Sequence, residues 1–549
     1  MGNIHLNLFK TFRPTTMTSA ALVAILALTF YLRLLFFGQY IDPDVGNIAY
    51  MGWRMAEGEV LIDLEGPGKP PLYYMLYGLF VWFFGPSVLG LKMFGALFVL
   101  MAVVAIYWLG DKAYGKGVGL LSALLFGVFS SGPMVEGGTV NLETLLHFPS
   151  ILAIGFFLNA STTGRLKWYF LAGLCGAMAA LIKQVGGVLF FAFLCSEIHR
   201  GWRKKEWFFR YSILGAGGLV PVIGVILFYS FHGYTLNELY DSMLGSNFQY
   251  LQRGYEYTSI FKFFFLSMKL ILQENSLLWF GVLFSSAYMG WQRLHGRGES
   301  IYRIFLWWAF WSFSVLWISG IFYAHYFLQL IAPFSIMAAY GIRLAWKLAK
   351  NLSHLPRFVV QGLWAIILVI TVALSVKTDY KYFFTYTPVQ QTAFQFKGVD
   401  GVYDGYGYGV YNIVQYQIAS YIRENTDPTN TIYVWGIAPQ VYFLAQRKAA
   451  TRYRNNFNLS SVVTNDAFEA LRAYAPMVMQ EISLSPPAYI IEIMYLENFP
   501  ELETFVKEYY EIDLTLQLPT HPYRIHLYRK RPDAQIIPKC DGGFTKSMS

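Results

Sequence analysis

Apolar runs long enough for about 20 residues of helix recur along the chain from MTSAALVAILALTFYLRLLFFG (17–38) to FVVQGLWAIILVITVALSV (358–376) and then stop. They predict eleven membrane spans, near 17–38, 88–109, 117–131, 144–160, 168–182, 186–198, 209–231, 275–292, 302–319, 325–346 and 357–376. One more run, PPLYYMLYGLFVWFFG (70–85), is short for a crossing and rich in Tyr, Trp and Phe, so it predicts a helix lying at the interface or re-entering the bilayer. Beyond residue 376 the pattern changes. TIYVWG (431–436), AYIIEIM (488–494) and YRIHLYRK (523–530) read as strands, and 410–425, 466–482 and 501–510 have helical periodicity. The pattern therefore predicts a polytopic α-helical membrane domain over 1–376, interfacial helices in a first outer loop at 39–87, and a C-terminal soluble α/β domain over 377–549.

Composition agrees with a membrane protein: of 549 residues, 55% are hydrophobic, 19% aromatic and only 14% charged. The first run follows Lys10 and Arg13, carries Arg33 and has no small-residue cleavage site, so it predicts an uncleaved anchor. Cys175, Cys195 and Cys540 have neither paired nor metal-ligand spacing, and no His or Asp pattern specifies a metal site, so no cofactor is implied and dependence on a divalent metal stays open on sequence alone.

With the N-terminus in the cytoplasm, basic segments such as RGWRKKEWFFR (200–210) fall inside and acidic loops fall outside, as the positive-inside rule requires. The first outer loop and the C-terminal domain then lie on the extracytoplasmic face of the plasma membrane. The net charge of +9 is a topology signal on this reading, and nucleic acid is not an expected partner.

Charge inside a span is costly, so its placement carries information. Arg33, Lys92, Lys183 and His325 all crowd toward the face that carries Lys69. Any one of them could be a snorkelling side chain; together, beside the acidic loop YIDPDVGNIAYMGWRMAEGEVLIDLEGPGKPP (40–71), they predict a shared site. Cations at the membrane boundary suit a lipid phosphate, and carboxylates opposite suit a base that deprotonates an attacking hydroxyl. Those are the needs of sugar transfer from a lipid phosphate.

The chain resembles the membrane glycosyltransferases of the GT-C fold, in particular bacterial and archaeal relatives of the dolichyl-phosphate-mannose protein mannosyltransferases and of the aminoarabinose transferases. DPDVGNIAYMGWRMAEGEVLIDLEGPGKPPLYY (42–74) looks like that family's first outer loop, VNLETLLHFPSILA (140–153) like its second acidic site, and ALIKQVGGVLFF (180–191) like its Lys-containing turn. HYFLQLIAPFSIMAAYGIRLA (325–345) looks like a late span, and YVWGIAPQVYFLAQRKAATRY (433–453) like the start of the C-terminal domain. The resemblance implies an inverting transferase that moves a sugar from a polyprenyl-phosphate donor to a lipid, polysaccharide or protein acceptor.

By the same resemblance Asp44 is the catalytic base with Asp42 beside it, Glu143 is the second acidic residue, and Lys69 grips the donor phosphate with help from Lys183, Arg33, Lys92 and His325. Asp42 and Asp44 could equally cap the helix that follows them. Where aminoarabinose transferases carry a Glu before the Lys, this chain has Gly68. A transporter or flippase for a lipid-linked sugar, and a non-catalytic membrane assembly protein, stay open on sequence alone.

Overall fold

A computed structural model describes residues 16–62, 68–198, 204–245, 260–295, 301–319, 322–351, 405–454, 465–517, 524–534 and 536, with scattered positions between 359 and 385. In chain order the helices are α1 (Thr16–Leu34), α2 (Pro43–Ala56), α3 (Leu72–Phe84), α4 (Val88–Tyr114), α5 (Lys116–Phe129), α6 (Leu142–Thr163), α7 (Leu166–Ile182), α8 (Val188–Ile198), α9 (Lys204–Phe231), the short α10 (Leu236–Tyr240), α11 (Ile260–Glu274), α12 (Ser276–Leu294), α13 (Tyr302–Ser319) and α14 (Leu328–Asn351). Ten predicted spans coincide with helices. The eleventh, 357–376, falls on a stretch most of whose residues lie outside those described. Among the described residues five helical stretches are long and apolar enough to cross a membrane: Thr16–Leu34, Val88–Tyr114, Leu142–Thr163, Glu206–Phe231 and Ala324–Ala349. α11 is a helix that the hydrophobic pattern does not predict.

The bundle packs through small residues, as expected where lipid supplies no hydrophobic drive between helices. A Cβ on Gly173 would lie 1.9 Å from the Leu214 carbonyl oxygen and one on Gly217 2.0 Å from that of Phe170, so α7 and α9 are in backbone contact. Gly110 faces Gly119 between α4 and α5, and Gly281 faces Ala338 between α12 and α14, in the same way.

α2 and α3 form a layer over one end of the bundle. Asp42 caps α2 by accepting from Val45 N at 2.8 Å, and Pro43 occupies the first turn, where its missing N–H costs nothing. α3 is the interfacial run: Tyr73, Tyr74 and Tyr77 are buried on one face, while Leu79, Trp82, Phe83 and Phe84 are exposed on the other. It spans 13 residues, roughly 20 Å of rise and short of the hydrocarbon thickness.

The C-terminal part contains α15 (Gly405–Glu424), α16 (Gln440–Ala445), α17 (Asn465–Leu484) and α18 (Pro500–Tyr509) around a five-stranded sheet. Its strands are β1 (Thr431–Trp435), β2 (Lys448–Ala449), β3 (Tyr489–Glu492), β4 (Tyr510–Gln517) and β5 (Arg524–Lys530), in the order β2-β1-β3-β5-β4. β1 pairs parallel with β2 and β3, and β5 pairs antiparallel with β3 and β4. This layer shares one hydrophobic core with the first loop. Val45, Ile48 and Tyr50 of α2, Tyr77 of α3 and Leu145 of α6 pack in one cluster with Ile418, Val434, Tyr442 and Ile525.

Candidate active site

Seven ionisable groups converge where α2, the loop before α3, α6, α7 and α14 begin or end. Asp44 lies in the first turn of α2, and Lys69 Nζ donates to its Oδ1 at 2.7 Å. The Asp44 side chain is 68% accessible. Lys183, immediately after α7, is bonded to Glu143 in the first turn of α6 and stands 4.3 Å from the centre of the Tyr326 ring, a cation–π contact. His325 Nδ1 meets Glu136 Oε2 at 2.8 Å.

These pairs are within electrostatic reach of one another. Lys69 holds the Asp44 carboxyl below its ordinary range, against the effect of burial and with smaller help from His325 and Lys183. Asp42, two residues earlier, moves the other way: burial, then the Asp44 carboxylate, push it up to about 6. Glu143 is fully buried, and its Oε2 has no hydrogen-bond partner among the described residues.

Five of the eight predicted site residues thus meet at one place: Asp44, Glu143, Lys69, Lys183 and His325. Asp42 joins them as a helix cap. Lys92 is placed differently: its Nζ donates to the carbonyl oxygens of Phe36 at 2.8 Å and Phe37 at 3.0 Å and to that of Gln39, satisfying the backbone that follows α1. Arg33 is buried in the last turn of α1, and no ion pair joins it to the cluster among the described residues.

Glu136 was not predicted. It lies in SGPMVEGGTV (131–140), buried, in the left-handed region at φ 53°. A side chain tolerates that conformation only where its surroundings insist on it, and such residues gather at functional sites. The available signal was an acidic residue inside a Gly-rich turn between two apolar helices. Glu274, at the end of α11, braces the same turn by accepting from Met134 N at 2.9 Å.

Gly68 is required by packing: a Cβ there would sit 1.5 Å from the carbonyl oxygen of Ser242. No side chain, and hence no Glu, fits before Lys69 in this backbone. Among the described residues no group of three or more His, Cys, Asp or Glu is arranged to hold a metal ion.

Residues 68–228 match the family model of the dolichyl-phosphate-mannose-protein mannosyltransferases. That segment contains Lys69, Glu143 and Lys183 and begins after Asp44. Crystal structures of ArnT from Cupriavidus metallidurans superpose over nearly the whole chain: the form bound to undecaprenyl phosphate with a TM-score of 0.55 at 14% identity, covering 94% of this chain and 98% of that one, and the apo form with 0.54 at 14%, covering 93% and 98%. The chain has the GT-C fold. The apo oligosaccharyltransferase of Archaeoglobus fulgidus, a second GT-C structure, gives 0.55 at 15% identity, covering 94% of this chain and 74% of that one. Among curated proteins none matches the chain by sequence. The predicted likeness to GT-C membrane glycosyltransferases is met by both the family model and the fold.

Proposed function

We propose that this membrane protein is an inverting glycosyltransferase that moves a sugar from a polyprenyl-phosphate donor to an acceptor at the extracytoplasmic face. The observation that carries the reading is the 2.7 Å Asp44–Lys69 pair, open to solvent and beside the Glu143–Lys183 pair. Every cation of the cluster already holds a carboxylate, so an entering phosphate must take Lys69 and Lys183 from their partners.

That exchange couples donor binding to base activation. While Lys69 donates to Asp44 the carboxylate is held below its ordinary range and is a weak base. When Lys69 turns to the donor phosphate, Asp44 regains basicity as the reactive sugar arrives. Asp44 then takes the proton of the acceptor nucleophile, which attacks the anomeric carbon from the side opposite the phosphate. The C–O bond to phosphate breaks, and the electron pair leaves with the phosphate, whose charge Lys69 and Lys183 neutralise. In this reading Glu143 accepts a hydrogen bond from the acceptor, which its buried Oε2, without a hydrogen-bond partner among the described residues, supports.

A transporter would need charges near the bilayer midplane. Here they gather at helix ends. The deciding experiment follows sugar transfer from a synthetic polyprenyl-phosphate sugar by purified wild type and Asp44→Asn. Transfer at full rate by the variant removes Asp44 as the base, and absence of transfer from every donor by the wild type removes the enzymatic reading.

A further inference from the structure

Away from the ion-pair cluster, at the opposite end of α2, a cavity of about 670 Å³ opens between the first loop and the C-terminal layer. Asp44 and Ala56 are separated by twelve residues of helix, roughly 18 Å along the axis, so the cavity is remote from the proposed chemistry. Trp53, Glu57, Trp82, Arg423, Arg447 and Lys448 contribute to its lining. The three cations face the single carboxylate of Glu57, which already accepts from Arg54.

Arg447 spends its donors on the backbone oxygens of Arg423, Ala445, Gln446 and Thr426 and on the Thr426 hydroxyl, and so forms a fixed wall. Arg423 and Lys448 are exposed, and among the described residues neither side chain makes an ion pair. A smaller cavity of about 310 Å³ shares Arg423 and Gln446 with the first and is lined by Val88, Phe443 and Leu444. It adjoins the first residue of α4, a 27-residue apolar helix. The bordering surface is apolar and exposed: Leu79, Trp82, Phe83, Phe84 and Leu89 are all more than half accessible.

A basic cavity, a smaller annex of mixed polar and apolar side chains and an exposed aromatic face meet where a long apolar helix starts. We propose that this groove binds one anionic phospholipid of the surrounding bilayer, its phosphate between Arg423 and Lys448 and its acyl chains along the Leu79–Trp82–Phe83 face of α3. Charge complementarity selects an anionic headgroup. An exposed face carrying Trp82 beside Phe83 and Phe84 suits the membrane interface, where an amphipathic indole ring is favoured. A soluble anion would satisfy the cations and leave the aromatic face uncovered.

The test uses the full chain in nanodiscs containing a photoactivatable phosphatidylglycerol or the matching phosphatidylcholine, with crosslinked peptides mapped by mass spectrometry. Phosphatidylglycerol is expected to label peptides covering 79–89 and 419–428 several-fold more than phosphatidylcholine. The Arg423→Glu/Lys448→Glu variant should lose that preference, and Arg423→Gln/Lys448→Gln should reduce it, with labelling elsewhere unchanged as the control for folding. Equal labelling by the two lipids, no label on these peptides, or undiminished preference in the charge-reversed variant overturns the proposal. Loss of label to millimolar glycerol phosphate overturns it too, since the groove then takes a free phosphate; loss to an anionic polysaccharide makes it an acceptor groove.

Discussion

Asp42 and Asp44 share a helix turn and titrate in opposite directions because desolvation and the Asp44 carboxylate raise the capping Asp42 while Lys69 lowers Asp44. Asp44→Asn keeps the shape and removes the proposed base; a loss of about 10²–10⁴-fold in kcat is expected, read as single-turnover transfer with donor binding retained. Lys69→Gln should weaken donor binding and, by releasing Asp44, move the acid limb of the pH–rate profile to higher pH. For Asp42 the folded carboxyl titrates near 6, above the 3.8 of an ordinary Asp. The folded state therefore holds this proton more tightly, so the group's contribution to stability falls as pH rises from about 4 to 6. Asp42→Asn, which still caps, should flatten the melting temperature across that window relative to wild type. Lys183→Met strands a buried Glu143 carboxylate and is expected to cost about 3–5 kcal/mol; adding Glu143→Gln should restore most of it in thermal unfolding. Asp44 and Glu143 were singled out by the family resemblance, whereas charges at span ends are few enough that Lys69, Lys183 and His325 were visible in sequence. Glu136 was not, because its role depends on a left-handed turn and a partner 189 residues away.

Elements were legible where hydrophobic period and length agree. The short aromatic run is α3, a 13-residue helix with one tyrosine face buried. β4 was missed although Tyr510, Ile512, Leu514 and Leu516 alternate, because α18 runs into it without a break and its helical period extends to Tyr509. α16 is six residues long, too short to show a period. Positions where elements touch through backbone were invisible, since a glycine carries no pattern of its own. Gly68→Ala places a methyl against the Ser242 carbonyl; lower folding yield and at least a tenfold loss of transfer are expected, measured by size-exclusion recovery and assay.

At the scale of the molecule, sequence separated a membrane part from a C-terminal part at residue 376, whereas the core joins α2, α3 and α6 to β1, β3 and β5. Hydropathy reports transfer into lipid and says nothing of which loops a water-exposed layer covers. The charge asymmetry between loops predicts that the ion-pair cluster and the C-terminal layer lie outside. Single cysteines at Asp44 and Lys448, in a background lacking Cys175, Cys195 and Cys540, should react with an impermeant maleimide in intact cells. A cysteine at Lys112 should react only after lysis; the reverse pattern inverts the topology.

Gly46 lies one helical turn from the α2 cap, and a Cβ there would come within 2.5 Å of the Gln440 Cα. Helix α2 is thus clasped between α16 and the bundle, and the clasp restricts inheritance as well as motion. A recombination event that exchanged the C-terminal half between two chains of this fold would succeed only where both parents keep a glycine at this crossing. The two halves are therefore expected to descend as a pair.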